Sequence, residues 1–376
     1  MRRGDRDHGG SRPAAGTLLL ALALLAAAAA FDAEPLYVPG VAFGLLAVLC
    51  LLWVRLAAAG LRVRRTVSGG RVQEDDPLPV TVTVVGGVLR LPTGEIRDPL
   101  LRRARPLQLG RDRQVVQATA RLPRRGRRLV APPSVLVRDP FGLAARTVGG
   151  GEPTEVLVLP RVDPVVVTAA GADGTGLGLR RRRRPTSAEV EVDGVGPLRP
   201  GTPASRIHWP SIARRAEPQE RRLHADGGRL PVVVLDPSPD PGDPQGAADD
   251  LDAAVRAVAS LAVHLARRGG CEVLLPGDRR PTELDATLGG WARLHVRLAL
   301  VEAGPAPATA QLRGRTGPIV HVSARRVQRP PRALAQHGAG QVLVVPGSIA
   351  GRRAAFAVAG CAGYELADRL DAARSA

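Results

Sequence analysis

The spacing of apolar residues changes three times along the chain, and each change predicts a different kind of structure. Residues 1–65 contain two uncharged apolar runs, residues 14–31 and residues 35–54. As a helix, the first run would extend over roughly 27 Å, close to the ~30 Å of a bilayer core. A signal peptide followed by a buried core helix would give a similar pattern. The loop of a few residues between the runs favours a transmembrane helical hairpin within residues 14–61.

Arginines stand on both sides of this hairpin and are missing from its connecting loop. Four precede the first run and four follow the second: Arg2, Arg3, Arg6, Arg12, Arg55, Arg62, Arg64 and Arg65. The loop instead carries Asp32 and Glu34. Because arginine is enriched on the cytoplasmic side of membrane helices, both termini are predicted to be cytoplasmic, with residues 1–13 as a basic leading segment. The chain is therefore expected in the cell membrane, crossing it twice.

From residue 66 to residue 164 apolar and polar residues alternate with a period of two. The segment PVTVTVV places Val80, Val82 and Val84 on one face of a strand, and Thr81 and Thr83 on the other. The segment VQATARL follows the same alternation. Several short alternating strands, separated by proline and glycine, predict a small β-sandwich-like domain over residues 66–164. No catalytic constellation is visible in it.

After residue 230 strands and helices alternate. LPVVVLD is a continuous apolar run, typical of a strand buried on both faces, and the strands CEVLLPG, GPIVHVSA and QVLVVPG follow it. This alternation predicts a mostly parallel sheet covered on both faces, so residues 230–376 are expected to form an α/β domain.

The first helix of this domain has clear signals in the sequence. Its apolar stripe comprises Leu251, Val255, Val258, Ala262 and Leu265. Asp249 or Asp250 is expected to cap its N-terminus, and Gly269 and Gly270 to end it. A second helix is expected within residues 285–301.

The net charge of +18, from 53 basic and 35 acidic residues, raises nucleic acid or anionic lipid as partners. However, the chain contains no lysine, no asparagine and five isoleucines, which indicates a GC-rich codon bias and weakens the inference. Residues 165–185 lose all periodicity and end in five consecutive arginines: Arg180, Arg181, Arg182, Arg183 and Arg184. They are either a contact for an anionic surface or a solvated loop. Since no aromatic residue lies nearby for base stacking, nucleic acid is not the expected partner.

The three cysteines, Cys50, Cys271 and Cys361, are far apart and form no CxxC pair. This pattern is neither a disulfide framework nor a zinc signature. Two of them fall in apolar runs, and buried, reduced cysteines are typical of a cytoplasmic domain.

Two segments resemble a known family. PGTPASRIHWPSIAR is similar to the signature of the domain-of-unknown-function 58 (DUF58) proteins, with matches at Pro200, Gly201, Arg206, Ile207, Trp209, Ala213 and Arg214. Thr202 stands where that family usually has an acidic residue. RDPFGL, at residues 138–143, resembles the segment that ends the family's β-rich region.

The resemblance implies an order of parts that matches the predicted one. It implies a membrane hairpin, a β-rich part, an Arg-rich loop with the signature over residues 165–229, and a von Willebrand factor A-like, Rossmann-like α/β domain. It also implies a membrane-tethered interaction module that works with a MoxR-type AAA+ ATPase.

The same resemblance raises a metal site at the end of LPVVVLDPSPD. A-type domains bind a divalent cation through Asp-x-Ser-x-Ser, and here Asp236 and Ser238 match while Asp240 replaces the second serine. Aspartate is a hard oxygen ligand suited to Mg²⁺. Prolines at positions 237, 239 and 241 stiffen this loop and remove amide donors, which favours a loop without metal. For the remote threonine of such a site, Thr282 is the best candidate.

The signature itself has two interpretations. Arg206, Trp209 and Arg214 could form a docking surface, since tryptophan and arginine are enriched at interface hot spots. They could equally attach the β-rich part to the α/β domain. His208 is expected to be structural, and His264 to be exposed on its helix.

Three hypotheses for function follow. The first is a membrane-anchored, non-enzymatic interaction module, because no catalytic set is visible and no cofactor is required. The second is a binder or enzyme that depends on a divalent cation held by Asp236, Ser238 and Asp240. The third is a basic binder of anionic lipid or nucleic acid that uses residues 180–184.

Overall fold

The computed structural model describes residues 12–168, 191–197, 209, 219–224, 230–243, 246–308, 312, 317–327 and 341–366. The chain forms two compact units, unit 1 at Met1–Val158 and unit 2 at Leu159–Ala376. The segment of residues 180–184 and most of the signature, including Pro200, Gly201, Arg206, Ile207, Ala213 and Arg214, lie outside the described residues.

Two apolar helices open unit 1. Helix α1 is Arg12–Ala30, a 3-10 turn covers Glu34–Leu36, and helix α2 is Tyr37–Ala58. Both helices are long and apolar enough to cross a membrane. The predicted runs, residues 14–31 and 35–54, coincide with them, and α2 continues beyond the predicted end.

Small residues line the contact between the two helices. Ala14, Ala21 and Ala28 recur every seven residues on α1 and are buried. A Cβ atom added to Gly40 of α2 would lie 2.9 Å from Cγ of Leu25, so the glycine lets the helices approach closely. Leucines and valines on the outer faces stay exposed, and only 17% and 28% of the two apolar windows are buried. This pattern is typical of paired membrane helices and not of core helices, which bury most of their surface.

Ten short strands follow in unit 1. They are β1 Arg62–Val67, β2 Arg71–Gln73, β3 Leu78–Val85, β4 Gly94–Arg97, β5 Arg105–Pro106, β6 Arg113–Ala120, β7 Gly126–Val130, β8 Ser134–Arg138, β9 Ala145–Gly149 and β10 Thr154–Leu159. They form three sheets with the orders β1-β3-β6, β2-β10-β7 and β5-β4-β8-β9.

The alternation predicted for β3 is confirmed. Val80, Val82 and Val84 are buried, whereas Thr81 and Thr83 are half-buried on the other face. The arrangement of sheets differs from a simple two-sheet sandwich, because three sheets share one core. That core includes Val82 from the first sheet, Val156 from the second, and Ile96 and Val135 from the third.

The side chain of Arg65 connects the three sheets. Its guanidinium lies 3.2 Å from Oδ1 of Asp98, and both side chains are almost fully buried, at 1% and 0% exposure. It also donates to the carbonyl oxygens of Ala131 (2.9 Å) and Val130 (3.0 Å). Asp98 in turn accepts from the amide of Leu100 at 2.8 Å. A residue that the sequence suggested as a membrane-flanking charge is therefore a buried ion-pair partner.

The connection from α2 into β1 is short and tightly packed. The carbonyl oxygen of Ala59 accepts from the amide of Val88 at 3.0 Å. A Cβ atom added to Gly87 would lie 2.0 Å from that same oxygen, so only glycine fits at this close approach. The end of the hairpin is thereby fixed to the first sheet.

The described residues of unit 2 contain ten further strands. They are β11 Val166–Val167, β12 Glu191–Pro197, β13 Gln219–His224, β14 Val232–Asp236, β15 Cys271–Leu274, β16 Thr282–Leu284, β17 Ile319–Ser323, β18 Gln341–Pro346, β19 Phe356–Val358 and β20 Cys361–Leu366. Eight of them form one mixed sheet in the order β11-β19-β20-β18-β17-β14-β15-β16, and β12 pairs with β13 separately. The four central strands, β18, β17, β14 and β15, are parallel. The alternation of strands and helices is confirmed, but the prediction of a mostly parallel sheet is wrong: four of the seven strand pairings are antiparallel, because β16 on one side and β20, β19 and β11 on the other join the parallel centre in antiparallel pairs.

Helix α3, Ala247–Ala266, and helix α4, Trp291–Ala299, both pack against one face of this sheet. On the other face, Val232 and Val234 are buried together with Leu312. The apolar stripe and the glycine stop predicted for α3 are confirmed, since Gly269 and Gly270 have positive φ angles.

Two details of α3 differ from the prediction. The helix begins at Ala247 after Gly246, so Asp249 and Asp250 lie in its first turn and do not cap it. There they still complement the positive end of the helix dipole. His264 is half-buried and not exposed, because the helix is covered over more than its narrow apolar stripe.

The boundary between the two parts also differs from the predicted one at residue 164. Unit 2 begins at Leu159. The carbonyl oxygen of Pro160 lies 2.7 Å from Nε2 of His295 on α4, and the amide of Asp163 donates to Oγ of Ser260 on α3 at 2.8 Å. These contacts attach residues 160–163 to the α/β unit.

We expect Asp98→Asn to lower the free energy of unfolding by about 3 kcal/mol or more, because it leaves the buried Arg65 charge unpaired. Chemical denaturation of the full chain in detergent micelles measures this. The control is Glu95→Gln, which removes an ion pair to Arg97 (3.5 Å) between half-exposed side chains. It should cost less than about 1 kcal/mol. Equal stability of Asp98→Asn and the native chain would contradict the role given to Arg65.

Candidate functional site at the carboxyl edge of the sheet

The strand order reverses at the ends of β14 and β17. The chain leaves β14 towards β15 on one side and later returns to β17 on the other. In open α/β sheets, ligands bind at the carboxyl edge where the strand order reverses in this way. Asp236 and Ser323, the last residues of their strands, are paired in register at this point.

Asp236 is held in place by the loop that follows it. Its side chain is 1% exposed. Oδ1 accepts from the amide of Ser238 at 3.0 Å and from its Oγ at 2.5 Å. The backbone oxygen of Asp236 accepts from the amide of Ala324 at 2.8 Å, which ties the two strand ends together. The carboxylate is therefore fixed, with one oxygen fully engaged.

The second carboxylate oxygen faces two nitrogen-bearing side chains. Oδ2 lies 3.8 Å from an Nη atom of Arg325 and 3.9 Å from Nε2 of His321. Arg325 is 40% exposed, so its guanidinium joins the buried aspartate to the surface. A buried carboxylate needs a nearby positive charge to offset its lost hydration, and Arg325 supplies one.

His321 is buried beside this pair and is neutral. Its Nδ1 has no hydrogen-bond partner among the described residues. Burial lowers the pKa of His321 to about 4; the carboxylate of Asp236 opposes this effect and the charge of Arg325 adds to it. The imidazole is thus uncharged at neutral pH, and Arg325 is the cation that faces Asp236.

More acidic side chains follow along the loop and the start of α3. Oδ1 of Asp240 accepts from the amide of Gly242 at 2.9 Å. Oδ2 of Asp250 lies 3.9 Å from Nε of Arg326. Burial raises the pKa of Asp250, Arg326 lowers it, and the neighbouring carboxylates of Asp243, Asp240 and Asp249 raise it further. The edge is therefore an acidic loop next to exposed arginines.

The arrangement fits a divalent cation poorly. The structure brings Asp236 and Ser238 together, whereas Asp240 closes its own turn with Gly242. Thr282 lies on β16, two strands and roughly 10 Å from β14, and its hydroxyl accepts from Arg297 at 3.3 Å. Within the described ranges, no group of three or more His, Cys, Asp or Glu side chains could hold a metal ion. Arg325 provides the positive charge that a cation would bring.

The two serine hydroxyls of the site are used structurally. Oγ of Ser238 donates to Asp236, and Oγ of Ser323 accepts from the amide of Arg325 at 3.2 Å. A serine nucleophile needs a base that takes its proton, and the neutral His321 faces the aspartate instead. The geometry offers no arrangement for nucleophilic catalysis at these residues.

Sequence reasoning missed His321, Ser323 and Arg325. They lie in IVHVSAR, which was predicted only as a buried strand. The available signal was the pair His321 and Ser323, two polar residues two positions apart in an otherwise apolar run. Residues at this spacing share one face of a strand, and Ser323 stands at its carboxyl end.

The other predicted site residues remain untested. Of the signature, only Trp209 is described, and its side chain is 58% exposed. Its neighbours, with His208, lie outside the described residues, as do the five arginines of residues 180–184. Docking by the signature and contact with an anionic surface both stay predictions.

Comparisons with known proteins assign no family. No protein-family model matches the chain, and no curated protein matches it.

The neutral state of His321 predicts a loss of stability in mild acid. The pKa of histidine in an unfolded chain is about 6.5. Below that pH the unfolded chain therefore binds a proton that the folded chain excludes. Stability should therefore fall between about pH 6.5 and 4, by about 3 kcal/mol. His321→Gln should lack this part of the dependence. Urea unfolding of both full-length chains in micelles at several pH values measures the difference, and parallel curves would contradict the assignment.

Proposed function

We propose that the chain is a membrane-anchored, non-enzymatic protein-interaction module of the DUF58 kind. In this proposal α1 and α2 cross the cell membrane and both termini are cytoplasmic. The α/β unit, von Willebrand factor A-like, presents its carboxyl edge to a cytosolic MoxR-type AAA+ ATPase.

Support for the anchor comes from the surface of the hairpin. Its small residues pack between the helices, while Leu19, Leu22, Leu45 and Leu49 stay exposed. Such a surface is favourable in lipid and unfavourable in water. The arginine distribution at the flanks supports the orientation.

The Asp236–Arg325 pair carries the proposal of a binding surface. The inner side of the guanidinium faces the buried carboxylate, and the outer part of the side chain is exposed. Nε of Arg325 is buried and has no hydrogen-bond partner within the described part of the chain. Arg326, the next residue along the chain, is also exposed. An acidic side chain of a partner would complement such a rim.

Affinity capture tests the partner. Full-length tagged protein, extracted from membranes in mild detergent, is expected to retain an AAA+ ATPase. Arg325→Glu should reduce its recovery by about tenfold or more, because the charge reversal repels an acidic contact. The control is Arg267→Glu, an exposed arginine just after α3, at the opposite edge of the sheet. Equal recovery by all three proteins, or no ATPase in any, would contradict the proposal.

The cation-dependent alternative is favoured by the contact between the Ser238 hydroxyl and the Asp236 carboxylate, since both groups are oxygen ligands. The presence of Arg325 leads us to expect no heat of binding when the native protein is titrated with Mg²⁺ or Mn²⁺. If the native protein gives heat of binding and Asp236→Ala does not, the cation site is established. That result would contradict the view that Arg325 takes the place of the cation.

A further inference from the structure

The turn between β8 and β9 contacts the membrane helix itself. Residues 139–144 form this turn, and Ala144 is buried in one cluster with Cys50 and Val54 of α2. Leu143, Leu46 and Leu51 pack around the same cluster. The β-rich part of unit 1 therefore contacts α2 along its side and not only at its C-terminal end.

The position of this contact along α2 determines its environment. Arg55 is the first charged residue after the apolar run. At 1.5 Å per residue, Cys50 lies roughly 7 Å and Leu46 roughly 13 Å from Arg55 along the helix axis, towards the middle of the span. If Arg55 is level with the lipid head groups, the turn lies within the outer part of the hydrocarbon layer.

Several polar groups of the turn hydrogen-bond within the turn itself. Asp139 is buried, and its carboxylate accepts from the amides of Phe141 (2.7 Å) and Ala144 (2.5 Å). Its backbone amide donates to the carbonyl oxygen of Ala144 at 3.1 Å, and its carbonyl oxygen accepts from Gly142 at 3.2 Å. Pro140 has no amide hydrogen to satisfy. These hydrogen bonds lower the cost of moving the turn out of water.

The outward surface of the turn is apolar and is flanked by charge. Phe141 at its tip is 69% exposed. Arg138, at the end of β8, and Arg146, in β9, are both exposed on the flanking strands. An exposed aromatic ring between arginines is the composition of segments that lie in the membrane interface, where the ring enters the acyl boundary and the guanidinium groups contact phosphate.

We infer that the 139–144 turn inserts into the lipid bilayer beside α2, with Phe141 in the acyl region and Arg138 and Arg146 at the anionic head groups. The inference rests on the membrane anchoring proposed above. The turn is a third attachment to the membrane, and it holds the β-rich unit against the bilayer surface.

Site-specific fluorescence tests the insertion. A Phe141→Cys variant of the full chain is labelled with an environment-sensitive nitrobenzoxadiazole dye and reconstituted into phosphatidylcholine–phosphatidylglycerol vesicles. The three native cysteines are buried, so unmodified protein gives the labelling background. The matched control is Leu129→Cys on β7, whose native side chain is 70% exposed. We expect doxyl-labelled lipid to quench the dye at position 141 strongly and aqueous iodide to quench it several-fold less than at position 129.

Flotation of the vesicles separates the two proposals. If the protein floats with the vesicles but iodide quenches both positions equally, the anchor stands and the insertion of the turn is wrong. If the protein does not float, the anchor fails and the insertion fails with it. If position 141 is shielded from iodide but is not quenched by doxyl-lipid, protein covers the turn, and a lipid occupant is ruled out.

Discussion

The architecture of unit 1 depends on the placement of a hairpin whose outer leucines are exposed. Their apolar surface is more favourable in lipid than in water, and the chain enters β1 within a few residues of the end of α2. At that junction the backbone of Ala59 lies against Gly87, at a distance that allows no side chain. The hairpin and the first sheet are therefore joined without a flexible linker, and the bilayer would fix the orientation of the β-rich unit.

In both units a buried aspartate lies beside an arginine. Arg65 contacts Asp98 and two carbonyl oxygens, and it links three sheets that share one core. Arg325 faces Asp236 at the carboxyl edge, where the resemblance to A-type domains implied a metal ion. The planar guanidinium keeps its charge at any physiological pH and offers several donors, so it can neutralise a buried carboxylate. In a chain without lysine, an excess of arginine partly reflects such internal contacts and is a weaker indicator of nucleic-acid binding.

The features that could be predicted from the sequence are those that depend on the periodicity of a single segment. The two apolar helices, the alternation in β3, the stripe of α3 and its glycine stop were all correctly predicted, because each reports which face of an element is buried. The sequence did not predict the three-sheet core, the buried state of Arg65, the start of unit 2 at Leu159 or the cluster around His321. These depend on contacts between residues far apart in sequence, such as Asp163 with Ser260, and a local pattern carries no information about the partner. The metal hypothesis named Asp236 and Ser238, and it could not anticipate Arg325 beside them.

The central claim is that the hairpin anchors the chain in the membrane with unit 2 in the cytoplasm. The most direct measurement combines alkaline carbonate extraction with protease treatment of bacterial spheroplasts that produce the full chain with a C-terminal epitope. The account predicts that the chain stays in the membrane pellet and that external protease leaves the epitope intact until the membrane is permeabilised. Release into the carbonate supernatant, or loss of the epitope in intact spheroplasts, would contradict it.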